Sequence, residues 1–140
     1  MQTQSHGMIG DATILLARIL LVLLFLIFGV AKITGFGGTV SYMAHTGLPL
    51  PWLGAIIAIL VEVFVSLALL LGIYTRPLAL LMAVYTLATA FIGHPYWTMT
   101  GMAHFEAEIN FFKNISIIGG FLLLSVTGPG RFALSPRRFR

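Results

Sequence analysis

Residues 52–74 read WLGAIIAILVEVFVSLALLLGIY, an apolar run with a single charge, Glu62, close to its midpoint. An α-helix needs about 20 residues to cross the hydrocarbon core, and Trp52 and Tyr74 stand at the two ends, where interfacial aromatic residues are expected. The run therefore predicts a transmembrane helix. Its carboxylate lies where insertion costs a few kcal/mol, so Glu62 needs a partner or water inside a bundle.

Three further apolar stretches fit the same description. Residues 12–34 form the first, stopped by Gly35-Phe36-Gly37-Gly38; Arg18 and Lys32 lie near its ends and can snorkel. Residues 77–93 form the third, set off from the second by the tight Thr75-Arg76-Pro77 connection, with Pro77 suited to the first helical position. Residues 109–127 form the fourth, stopped by Gly128-Pro129-Gly130. Between the first two spans, residues 39–45 predict a short interfacial helix, and Leu48-Pro49-Leu50-Pro51 an extended approach. The stretch from His94 to Glu108 reads as a polar loop. The expectation is an all-α polytopic membrane protein: one domain over residues 1–140, a four-transmembrane-helix bundle with a basic tail over 128–140.

Composition supports this reading. The chain is 59% hydrophobic and 9% charged, against about 25% charged residues in soluble domains. With no cysteine, disulfides, thiol catalysis and Cys-ligated metal sites are excluded. The apolar run after Arg18 leads into Lys32 and a glycine-rich turn without a small-residue cleavage signal, so it is read as a retained span. Of the basic residues, Arg131, Arg137, Arg138 and Arg140 follow the last span. They read as an orientation signal and a lipid-facing tail; nucleic acid is not an expected partner. With an even number of spans, Arg18 and Arg76 join them against Lys32 and Lys113, placing both termini in the cytoplasm of a plasma membrane. No matched broken helices point to an inverted-repeat transporter.

Depth along the spans suggests how the charges meet. Counting about 1.5 Å per residue from the terminal side puts Arg18 about 9 Å, Glu62 about 18 Å, Lys113 about 21 Å and Lys32 about 30 Å deep. Lys113 is the expected partner of Glu62, with Arg18 second and Lys32 snorkelling; Phe25 would sit between the two cations of the first span. Glu106, Asn110, Lys113 and Asn114 recur at helical spacing on one face, either lining a pocket or knitting the bundle. The candidate polar site is Glu62, Lys113, Arg18, Asn110 and Asn114, with Lys32, His94, Tyr85 and Ser66 secondary and Thr89 beside them. No metal is expected, because His45, His94 and His104 show no helical ligand pair. The buried charges fit two readings: a site for a polar headgroup or proton, or ion pairs that fix helix register.

Leu16-Ala17-Arg18, Phe25 to Lys32, Glu62 and Leu71-Gly72-Ile73-Tyr74-Thr75-Arg76 together resemble the DoxX family. His94 to Trp97, Asn110 to Asn114 and Gly119-Gly120 resemble its small bacterial inner-membrane members. The resemblance marks Arg18, Lys32, Glu62, Arg76 and Lys113 as motif positions. It implies a four-helix membrane protein and, for some relatives, association with quinol oxidation or membrane oxidoreductase complexes. The leading expectation is a redox-associated subunit holding a quinone or similar amphipathic molecule, working with a membrane redox partner. Its rivals are a non-catalytic membrane scaffold and, further off, a small proton-coupled or lipid carrier built as a homo-oligomer.

Overall fold

The computed structural model describes residues 6–135. Among them there are helices and no strands. Four helical segments are long and apolar enough to cross a membrane: Gly7–Thr34, Pro51–Leu71, Thr75–Thr98 and Gly101–Thr127. The first is α1 (Gly7–Thr34), and after Gly35 the chain turns directly into the short α2 (Phe36–His45). The second span is α3 (Pro51–Ile59) and α4 (Ser66–Leu71), joined by a π-helical turn over Leu60–Val65. The third is α5 (Thr75–Gly93) with a 3₁₀ turn at Tyr96–Thr98, and the fourth is α6 (Gly101–Thr127).

The apolar runs locate the spans, and the differences lie at their ends. α6 starts at Gly101, two turns before the expected 109, so most of the His94 to Glu108 stretch is helix. Hydropathy finds the part of a helix that lies in lipid; Glu106 and Glu108 belong to a part that continues beyond it. The second span ends at Leu71, because Gly72 takes the left-handed conformation (φ 74°) that closes helices. The turn is thus Gly72 to Tyr74, and Thr75, Arg76 and Pro77 already belong to α5. Glycine is required at 72 for a second reason: a side chain there would meet the Ala133 Cβ at 2.5 Å.

Many large apolar side chains remain exposed, including Leu20, Phe64, Val84 and Val126. This is the outward surface expected when lipid is the solvent. The interior is a layer of Val22, Phe25, Leu69, Ala79, Met82, Ala83, Phe121 and Leu124, all buried, with small alanines on α5 allowing close approach to α6.

At the end that carries the termini, two arginines hold the bundle together. Arg18, 1% exposed, donates to the carbonyls of Leu69 (3.1 Å) and Leu70 (2.6 Å) at the end of α4, and to those of Pro129 (2.6 Å) and Phe132 (2.7 Å) beyond α6. Arg76 donates to the last carbonyls of α6, at Ser125, Val126 and Thr127. Helix C-termini leave four carbonyls without partners, and a planar five-donor guanidinium is suited to collecting them. Asp11 accepts from the Arg131 backbone N–H at 3.1 Å, and the Leu134 N–H donates to the Leu71 carbonyl at 2.9 Å. The expected basic tail is therefore, over residues 128–135, a folded plug; Arg137, Arg138 and Arg140 lie outside the described residues.

Arg18→Gln leaves buried carbonyls without donors and should destabilise the bundle by about 3 kcal/mol or more. Arg18→Lys should recover little, since three donors on a point charge cannot reach four divergent carbonyls. Thermal unfolding in detergent micelles measures the loss, and proteolysis within residues 128–135 should accelerate in step.

Candidate functional site

Glu62 lies in the π turn, which brings it and Val63 together into the interior, 7% and 9% exposed. Such turns locally widen the helix and recur at functional sites. The carboxylate is held from two helices. Lys32 Nζ donates to Oε2 at 2.8 Å, and the Tyr85 hydroxyl donates to Oε1 at 2.7 Å from α5. These are charge-assisted bonds, stronger than neutral ones. Each carboxylate oxygen keeps a further lone pair for another donor.

The partner of Glu62 is thus Lys32, in place of the expected Lys113 or Arg18. The depth count set Lys32 about 12 Å beyond Glu62 along the bundle axis, but it overlooked helix direction. Side chains lean toward the N-terminus of their own helix. Because α1 and the second span are antiparallel, Lys32 and Glu62 lean toward one another. The helices also meet closely at Gly29, one turn before Lys32, where a Cβ would lie 2.8 Å from Val63 Cγ2 and 3.0 Å from the Glu62 Cβ. Lys32 does not snorkel, and Arg18 is engaged on carbonyls at the terminal end.

The triad faces a cavity of about 890 Å³ that reaches toward the end of the bundle opposite the termini. Phe25, Phe28, Ile57 and Ile92 supply apolar wall; Thr89, Asn110, Asn114 and His94 add polar groups. α2 roofs it: Tyr42 and Met43 line the cavity, and the Tyr42 hydroxyl donates to the Gly93 carbonyl at 3.3 Å. Asn114 Nδ2 donates to Thr89 Oγ1 at 3.4 Å, joining α6 to α5.

The polar face expected on α6 is divided. Asn114 and Asn110 reach the chamber, whereas Lys113 is exposed and lines an adjoining lateral groove between α1 and α6, which shares Leu24, Phe28, Asn110 and Asn114 with the chamber. Glu106 is exposed as well, so this face does not turn wholly inward. Ser66, though one turn from Glu62 and fully buried, does not line the chamber; its hydroxyl has no hydrogen-bond partner among the described residues. His94 stands at the chamber rim, while His104 Nδ1 lies 2.8 Å from the Tyr96 carbonyl oxygen and its Nε2 faces Glu108 at 3.6 Å. Tyr42 and the roof were missed. An interfacial helix is legible in sequence, but the cavity beneath it is not.

Lys32→Met strands a buried carboxylate and should cost about 3 kcal/mol, whereas Lys32→Met combined with Glu62→Gln should recover much of that loss. A double-mutant cycle on thermal unfolding in micelles reads the coupling. Additive effects of the two substitutions would show that the pair contributes nothing as a pair.

No solved structure gives a significant match to the chain. The DoxX family model matches residues 13–95. Two Escherichia coli (strain K12) proteins are similar over almost their full lengths. Inner membrane protein YphA is 56% identical over 131 residues, covering 94% of each chain. Inner membrane protein YqjF is 42% identical over 127 residues, covering 89% of this chain and 90% of the relative. The four apolar helices and these relatives identify a multi-pass inner membrane protein. By family match and by identity, the chain belongs to the DoxX family.

Proposed function

We propose that this chain binds the polar head of a quinone or similar amphipathic molecule in the chamber beside Glu62, as a redox-associated subunit of the membrane. The observation that carries the reading is the Lys32–Glu62–Tyr85 triad, ion-paired and hydrogen-bonded yet facing an apolar-walled space of about 890 Å³. A register-fixing ion pair needs no cavity; a ligand site is concave, mostly apolar and equipped with a few convergent polar groups.

The residues present fit a quinone head. Phe25 and Phe28 offer aromatic surface, Asn110 and Asn114 offer amide donors, and Glu62 keeps lone pairs for a hydroxyl. When bound, a quinol would supply two-electron chemistry coupled to protons. This chain's part is to bind and to handle the proton. Glu62 would take a proton from a ligand hydroxyl, while the Lys32 bond to Oε2 and the Tyr85 bond to Oε1 fix the direction of the carboxyl group. A membrane redox partner would be the electron acceptor for such a ligand, and its second proton would leave to water. The excess of basic residues at the terminal end supports cytoplasmic termini. Reporter fusions after Arg140 and at residue 99 should read cytoplasm and periplasm respectively; the reverse would invert the chamber's opening.

The functional test is extraction and mass spectrometry of quinones retained by the purified protein, against a detergent-matched control. Wild type should retain quinone. Glu62→Gln, nearly isosteric, should lower retention about tenfold, the worth of one charged hydrogen bond. No retained quinone, together with no binding of added quinone, would overturn the proposal in favour of a scaffold.

A further inference from the structure

Lys113 is the charge that the chamber leaves out. It lies inside a membrane-spanning helix, is exposed, and has no ion pair or hydrogen bond among the described residues. It sits in a groove of about 910 Å³ between α1 and α6. A cation within a span requires water, a counter-charge or a route to the interface.

The groove has the polarity of a lipid. Near Lys113, the rings of Phe91, Tyr96, Trp97, Phe111 and Phe112 form a cluster with neighbouring centroids 5.2 to 6.0 Å apart. Clusters containing Trp and Tyr mark the membrane–water boundary. Lys113 is two residues past Phe111, about 3 Å deeper, and its side chain leans back toward the start of α6 and thus toward that boundary. Asn110, one turn nearer the boundary, lines the same groove. Deeper, the walls are Leu24, Phe28 and Ile117. Below them α1 and α6 close on each other, where a Cβ on Gly120 would lie 2.7 Å from Leu21 Cδ2. The space therefore runs from a cationic, amide-bearing mouth at headgroup level to a closed apolar floor.

We propose that this groove binds one phospholipid with an anionic headgroup, its phosphate on Lys113 and Asn110 and an acyl chain along Leu24, Phe28 and Ile117. Glu108 also lines the mouth, but His104 Nε2 faces it at 3.6 Å. A second copy of the chain is a poorer occupant. A two-fold axis along the membrane normal keeps each residue of the partner at its own depth, and the mid-span carboxylate that could meet Lys113 there, Glu62, is already held by Lys32.

Native mass spectrometry of the full chain, purified into mild detergent and offered equal phosphatidylglycerol and phosphatidylethanolamine, tests the site. Wild type should carry phosphatidylglycerol about fivefold in preference, matching one basic contact. Lys113→Gln should abolish the preference, Lys113→Arg should keep it, and Ile117→Trp, at a position that lines the groove and not the chamber, should lower retention of both lipids by filling the apolar end. Thermal unfolding of the lipid-free variants should match wild type. Equal retention of the two lipids by wild type, or an unchanged preference in Lys113→Gln, would overturn the proposal. So would displacement of the lipid by inorganic phosphate alone, which would make the mouth a simple anion site. A Lys113-dependent dimer mass without lipid would assign the groove to a second copy and equally reject the lipid. None of these outcomes depends on quinone retention.

Discussion

Arg18 is the residue on which the geometry of the bundle depends. One guanidinium gathers carbonyls from the end of α4 and from the segment after α6, so α1, the second span and the C-terminal plug share one anchoring point. In hydrocarbon, backbone carbonyls cannot turn to water, and a multidentate donor at a helix terminus resolves that problem for two segments at once. Arg76 does the same for the end of α6. With the helices drawn together at that end, space can open only toward the other, and the chamber lies there.

The two kinds of buried charge in the molecule work differently. Arg18 is matched by fixed backbone dipoles, which neither titrate nor leave. Glu62 is matched by Lys32 and Tyr85, side chains with rotatable bonds that take no part in the helix ladder. Both members of the pair line the chamber, with side-chain exposure of 24% for Lys32 against 9% for Glu62. That distribution separates a cation fixed by backbone from a pair that borders open space.

The four spans were legible because a run such as 52–74 has few other fates in a chain this apolar. The mid-span carboxylate was legible as a group needing a partner for the same reason, and Tyr85 was within view as a minor polar residue on the third span. The identity of the cation was not. Depth counted in residues ignores the lean of side chains along antiparallel helices, the close approach that Gly29 permits, and the π turn, none of which leaves a periodicity signal. The polar end of α6 was hidden by the measure used to find spans, since Glu106 and Glu108 lower hydropathy without ending the helix. The arginines after the last span read as a loose basic tail because the Asp11 and Leu71 contacts that order residues 128–135 come from distant parts of the chain.

α2 roofs the chamber without burying a single one of its residues. It packs beside α3 and touches α5 through the Tyr42–Gly93 bond, while its outer side has no protein against it among the described residues. A short helix with apolar and polar sides beside four membrane spans finds its level in the boundary layer of the bilayer. The lid of this cavity is thus part protein and part membrane. Lipid packing, thickness and curvature become variables of the chamber's own shape, and a change in the surrounding bilayer can act on it as directly as a substitution in its wall.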